Sequence, residues 1–218
     1  MESHKNGFYE KIKRMVDIIF SLILIILFSP LIILLAVLIK LDSKGPVLAD
    51  TPKRVGRGGK LFKMYKFRSM VENAHRLLRK NPEYSKLFYE YKRGSYKLKD
   101  DPRVTRVGHF IRKHSLDEVP QFFNILRGEM SLVGPRAYYP DELEEQQKQY
   151  PHTKGAVKVV LSVKPGVTGY WQVSGRSEIN FDKRIEMDAM YVKKRSIIYD
   201  LWIILKTPWA MISGKGAL

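Results

Sequence analysis

Twenty-two residues from Ile18 to Ile39, IIFSLILIILFSPLIILLAVLI, carry no charge, and no other stretch restricts the chain as strongly. A helix rising about 1.5 Å per residue is just long enough over this span to cross a bilayer core. Membrane contact follows. The run is too long for a cleaved signal peptide, and no small-residue cleavage site follows it. Ser29 and Pro30 interrupt it midway, where Pro30 removes the donor for the Ile26 carbonyl and its ring crowds the preceding turn, so a bend is expected. Both flanks are basic, Lys5, Lys11, Lys13 and Arg14 before and Lys40, Lys44, Lys53 and Arg54 after, which pulls both ends toward the cytoplasm. A re-entrant helix-break-helix satisfies both signals. A kinked single span is the alternative, because prolines are tolerated in spanning helices. Residues 1–17 mix charges with Phe8, Tyr9, Ile12, Met15 and Val16, as a membrane-surface helix or a polar, flexible terminus would.

The remaining chain is large enough for one domain with a core, at 218 residues and 44% hydrophobic. It has no cysteine, which excludes disulfides, zinc-cysteine sites and thiol nucleophiles. With 39 Lys+Arg against 22 Asp+Glu, the net charge of +17 implies an acidic partner: nucleic acid, anionic lipid or a phosphorylated substrate.

After the apolar run, Gly56 to Lys60 turns into KLFKMYKFRSM, a strand or short helix; neither phosphate-loop spacing is met. Lys66 and Arg68 sit there among Tyr65, Phe67 and Met70, either held at a protein surface or on a solvated face. The Tyr-rich, basic segment from Val71 to Asp101 reads as a surface helix and loop. It suits stacking on single-stranded nucleic acid or a membrane- or solvent-facing helix.

The segment Arg112–Arg136, RKHSLDEVPQFFNILRGEMSLVGPR, concentrates the chemistry. Asp117 and Glu118 are adjacent acids, with Arg112 five residues before and a Gly-Pro turn presenting Arg136. Carboxylates attack or hold a metal while guanidinium groups bind phosphate oxygens. Ser115 to Glu118 also has the form of a capping box. Pro120 argues against that and fits the first turn of a helix starting near Val119, with the acids at its mouth. Asp141 to Tyr150 is a polar helix. Lys164 to Arg176 (KPGVTGYWQVSGR) suits a base-and-sugar pocket, with Gln172 and Arg176 as substrate-binding candidates, or is a glycine-rich loop around a core tryptophan. Ile197 to Ile212, broken by Asp200, Lys206 and Pro208, is too short and charged to span and suits an interfacial helix.

Six ordered blocks, KFRSM, DPRVTRVG, SLDEVPQ, GEMSLVGPR, PGVTGYWQVSGR and the Asp188/Tyr191/Asp200 run, resemble the bacterial sugar transferases, the monotopic polyprenyl-phosphate phosphoglycosyl transferases. The resemblance implies an enzyme at the cytoplasmic face of the bacterial inner membrane, performing the first membrane step of polysaccharide or glycoconjugate synthesis. It would move a sugar 1-phosphate from a UDP-sugar to undecaprenyl phosphate and release UMP. On that pattern Asp117 is the nucleophile and Glu118 helps hold magnesium. Arg112, Arg136 and either Lys66 or Arg68 bind phosphates, and Ser29-Pro30 is the break of the re-entrant helix. The tail of the fifth block points to galactose or glucose, with an N-acetylated amino sugar as the alternative. Two departures stand out: Ala137 replaces a second proline, and the further N-terminal membrane helices of larger members are absent.

The fold expected is α+β and mainly helical. Residues 1–44 form the re-entrant membrane anchor, and 45–218 form a single cytoplasmic catalytic domain with interfacial amphipathic helices. Anionic membrane lipids are expected partners, a homodimer and contacts with downstream glycosyltransferases are compatible, and nucleic acid is not expected. A membrane-tethered nucleic-acid-binding protein and a catalytically dead scaffold are the rival readings. The UDP-sugar that the resemblance implies also calls for magnesium, because a breaking diphosphate accumulates charge that a hard cation neutralises.

Overall fold

A computed structural model describes residues 2–93, 96, 98, 100–175 and 179–212. Helices α1 (Glu2–Leu27) and α2 (Ser29–Asp42) meet at Phe28 with a bend of 62°. Pro30 lies in the first turn of α2, and the Ser29 hydroxyl donates to the Ile26 carbonyl at 2.8 Å, replacing the bond that proline cannot make. Among the described residues no single helix is long and apolar enough to cross a membrane, whereas the bent pair is by length and composition. Large apolar side chains on both arms stand exposed, among them Ile26 at 71% and Leu41 at 79%.

The first half of α1 is helical from Glu2, not a flexible terminus. It runs unbroken into the apolar run, and Tyr9, Lys13, Arg14 and Asp17 all bond to the catalytic part of the chain.

Two small sheets follow. Strands β1 (Arg54–Val55) and β2 (Leu61–Phe62) pair antiparallel, so the segment after Lys60 is extended, as its strand alternative has it. The chain then passes α3 (Ala74–Lys80) and α4 (Ser85–Arg93). The Tyr-rich segment is largely on the surface as read, with Tyr89 exposed, but it is corrected in part: Tyr91, Tyr96 and Leu98 are buried with Leu78 and Tyr139 in a core of their own, which removes those rings from any stacking face. Helix α5 (Arg106–Lys113) is capped by the Thr105 hydroxyl and leads through a 3-10 turn, Leu116–Glu118, to α6 (Gln121–Leu126). That helix begins two residues later than Val119, after Pro120.

Strand β3 (Ser131–Val133) pairs parallel with β4 (Gly166–Thr168), and α7 (Pro140–Gln149) and α8 (Lys154–Val160) lie between them in sequence. The β3 and β4 backbones touch: a Cβ on Gly166 would lie 2.1 Å from the Gly134 nitrogen, so only glycine fits. Helices α9 (Tyr170–Ser174), α10 (Phe181–Lys194) and α11 (Ile197–Ile212) complete the chain. The central core joins Phe62, Met64, Ile125, Met130, Leu132, Tyr191 and Ile203, with Val16 and Leu24 of α1 packed on it. Helix α2 instead buries Leu35 and Ile39 against Phe67 and Ile111, with Leu116 and Val119 beside them. The second arm of the bent pair thus supports the acid turn. Helix α11 turns Asp200 inward and leaves Ile198, Leu205 and Trp209 largely exposed.

Candidate active site

Asp117 and Glu118 sit in the 3-10 turn between α5 and α6. Ser115 makes no side-chain cap; its backbone is left-handed, φ 54°, and its carbonyl accepts the Glu118 N–H at 3.2 Å. The capping-box alternative is therefore not what forms. A left-handed non-glycine residue costs about 1 kcal/mol and needs surrounding support. Support comes from Leu116 and Val119 packing toward α2, and from the Phe67 N–H donating to the Asp117 carbonyl at 2.9 Å.

That last bond sets the register of the extended strand segment, and its neighbour Lys66 is thereby aimed at the acids. Its Nζ lies 3.0 Å from Asp117 Oδ2 and 2.8 Å from Glu118 Oε1. Burial pulls the Lys66 ammonium down, but the two carboxylates outweigh it and its pKa is raised. Asp117 is held above the ordinary carboxylate range by burial, which exceeds the pull of Lys66; Glu118 adds to the rise, and Arg112 offsets part of it.

Arg68, two residues on, points elsewhere. Its guanidinium donates to the carbonyls of Ile39, Ser43, Lys44 and Pro46 and to the Ser43 hydroxyl. It satisfies the C-terminal end of α2, where helix carbonyls lack backbone partners. Of the two cations left open by the KFRSM spacing, Lys66 is the one at the acids.

Arg136 follows β3. Its N–H donates to Asp188 Oδ2 at 3.0 Å, its Nε lies 3.8 Å from Glu142 Oε1, and its guanidinium stands 5.4 Å from the Trp171 ring centroid. Glu142 is fully buried and bonded to Arg184 at 3.0 Å. Asp188, also fully buried, is pushed up to about 7 by burial, against the Arg136 N–H, the Arg184 charge and the Tyr138 hydroxyl. Asp188 has a sequence signal, its place in a motif; Glu142 has none, since it reads as one more acid on a polar helix.

One cleft of about 400 Å³ is lined by Lys66, Arg68, Arg112, Asp117, Glu118, Arg136 and Gln172. All the expected catalytic or substrate-binding residues described line this one cleft, but the Arg68 guanidinium is spent on the end of α2, which corrects its phosphate-binding alternative; Arg176 lies outside the described residues. Trp171 is buried, as the core-tryptophan alternative has it, and the Gln172 amide donates to the Val167 carbonyl at 3.0 Å. His75 also lines the cleft, where burial and the charges of Arg54, Arg103 and Arg79 bring its pKa down to about 4 and keep it neutral.

Among the described residues no group of three or more His, Cys, Asp or Glu converges as a metal cage. Two adjacent carboxylates that already share one cation, Lys66, are nevertheless the donor set that magnesium takes when substrate phosphates and water complete its shell. The residues fit the ion.

A family model described as "Bacterial sugar transferase" matches residues 8–214. A Salmonella typhimurium protein named undecaprenyl-phosphate galactose phosphotransferase is 44% identical over 209 residues, covering 94% of this chain and 41% of its own length. Exopolysaccharide production protein ExoY of Sinorhizobium fredii is 40% identical over 205 residues, covering 94% of this chain and 87% of its own. A Klebsiella pneumoniae protein named UDP-glucose:undecaprenyl-phosphate glucose-1-phosphate transferase is 39% identical over 223 residues, covering 99% and 43%. The chain therefore spans less than half the length of the Salmonella and Klebsiella relatives.

Proposed function

The chain belongs to the bacterial sugar transferase family, and on that premise we propose that it moves a sugar 1-phosphate from a UDP-sugar, UDP-galactose or UDP-glucose, to undecaprenyl phosphate and releases UMP. The observation that carries this reading is Lys66 bound to both Asp117 and Glu118 in a cleft that Arg112 and Arg136 also line. In the proposed reaction an Asp117 carboxylate oxygen attacks the phosphorus that bears the sugar. The bond from that phosphorus to the bridging oxygen breaks, and UMP leaves with the electron pair. A phosphate oxygen of the lipid then attacks the same phosphorus and displaces Asp117, giving the lipid diphosphate sugar. Lys66 favours the ionised Asp117 before attack, and Arg112 and Arg136 bind the phosphate oxygens as charge grows. Magnesium, held by Glu118 with the diphosphate, would neutralise the charge on the leaving group.

A lipid acceptor requires the cleft to sit at a bilayer. The exposed apolar residues of α1, α2 and α11 support seating at the cytoplasmic face of the inner membrane, with the bent pair entering and leaving by one side. Enzyme mixed with labelled UDP-sugar and no lipid should release about one equivalent of UMP and keep the label on Asp117. Asp117→Asn should do neither. A ternary complex without labelled enzyme would overturn the nucleophile role, and a UDP-sugar panel in which only N-acetylated sugars turn over would overturn the hexose assignment.

A further inference from the structure

A second cavity, about 30 Å³, opens at the foot of α1 between Glu10, Lys13, Arg14, Asp17, Lys164 and Arg195. Its acids are engaged: Glu10 pairs with Arg195, and Asp17 accepts from the Ser131 hydroxyl and the Leu132 N–H. Besides Arg195, two more of its cations are engaged. Lys13 pairs with Asp200 at 2.6 Å, and Arg14 donates to the carbonyls of Ile125 and Leu126.

Lys164 is different. Its ammonium has no hydrogen-bond or ion-pair acceptor among the described residues; burial first, then Arg14 and Arg57, pull its pKa below the ordinary lysine value against the opposing pull of Asp17 and Glu10. A Cβ on Gly128, which is not part of the cavity lining, would lie 3.7 Å from both Arg14 Nη2 and Lys164 Nζ, so the two cationic heads stand close to one another, and both residues line the cavity. Four cations, Lys13, Arg14, Lys164 and Arg195, line the opening against two acids, Glu10 and Asp17, and the excess like charge disfavours itself until an anion enters. The volume holds about two waters, which suits phosphate oxygens rather than a whole headgroup.

The position selects the anion. The cavity is lined by residues 10, 13, 14 and 17 of α1, and the charge-free run begins at Ile18. With α1 entering the bilayer there, the cavity lies at headgroup depth. We propose that Lys164, with Arg14 and Arg195 around it, forms a phosphate site separate from the catalytic cleft that takes the headgroup phosphate of an anionic membrane phospholipid. The site rests on the membrane seating proposed above. It shares walls with β3, since Ser131 and Val133 line it, and β3 runs on to Arg136.

The test titrates the full chain in neutral detergent with monomeric dihexanoyl-phosphatidylglycerol, and in parallel with dihexanoyl-phosphatidylcholine and inorganic phosphate. Expected are one saturable phosphatidylglycerol site, about fivefold weaker binding in Lys164→Ala as for loss of one cation at a lipid surface, and recovery in Lys164→Arg. Lys86→Ala, an exposed lysine of α4, should bind like wild type. Equal losses in both alanine variants, or equal affinity for phosphatidylcholine, would show general attraction or apolar contact and overturn the site. Equally tight binding of inorganic phosphate would overturn the lipid assignment. Failure of the proposed reaction is read separately: a chain that binds phosphatidylglycerol through Lys164 but releases no UMP has this site and lacks that activity, and a chain that releases UMP with no Lys164 effect has the reverse.

Discussion

Asp17 of α1 accepts the main-chain N–H of Leu132, 115 residues downstream, at 2.9 Å, and so the helix that carries the apolar run also holds the strand leading to Arg136. Burial raises the Asp17 carboxyl above its usual range, with Lys13 and the Leu132 N–H offsetting part. Replacing it by Ala leaves that N–H and the Ser131 hydroxyl without an acceptor, at a cost of about 3 kcal/mol. Asp17→Asn keeps an accepting oxygen and should cost about 1 kcal/mol or less. Denaturant unfolding followed by tryptophan fluorescence measures both; equal losses would mean that charge, not acceptor geometry, is what β3 needs.

Lys66→Met should lower kcat/KM about 100-fold, the scale for removing one preorganised cation from a charged transition state. It should also move the acidic limb of the pH profile upward. Lys66 opposes the rise in the Asp117 pKa, so without it a higher pH is needed to ionise the carboxyl. A drop in rate with an unmoved limb would place Lys66 on substrate phosphate alone.

Asp188 titrates at about 7 when folded, against an ordinary value of 3.8. The folded value is raised, so its contribution to stability is full below about pH 4 and is lost as pH rises through about 7. Asp188→Asn keeps an oxygen for the Arg136 N–H and removes the titration. The variant should therefore lose less stability than wild type between pH 4 and 8, by on the order of a few kcal/mol. Parallel stability curves would exclude Asp188 as the titrating group.

Pro30→Leu restores an uninterrupted donor sequence at the 62° bend and should shift the pair toward a straight span. The cysteine-free chain allows Gly7→Cys and Lys60→Cys to be labelled singly. With Pro30 in place both should react from the cytoplasmic side only; in the Pro30→Leu variant a fraction should react from opposite sides. Opposite-side labelling in the presence of Pro30 would make the bent pair a crossing helix.

Much of the site is legible because its signals are local. Asp117 and Glu118 are neighbours by covalent connection, and Pro30 acts on a carbonyl four residues back; the close approach of Gly134 and Gly166, by contrast, shows only in the fold. The surface reading of the Tyr-rich segment holds for Tyr89 but not for Tyr91 and Tyr96, because alternation of aromatics with lysines looks the same whether the rings meet solvent or one another. Their burial beside Tyr139 depends on where a distant helix packs.

By itself, then, the sequence determined the bend in the apolar run, the acid pair before its short helix and the family motifs, since each depends on groups a few bonds apart. The tertiary structure alone decided that Lys66 rather than Arg68 meets the acids across 51 residues, that Glu142 and Asp188 brace Arg136, and that α1 is tied to β3. Those pairings follow from strand register and burial, which depend on contacts between segments that spacing along the chain does not encode.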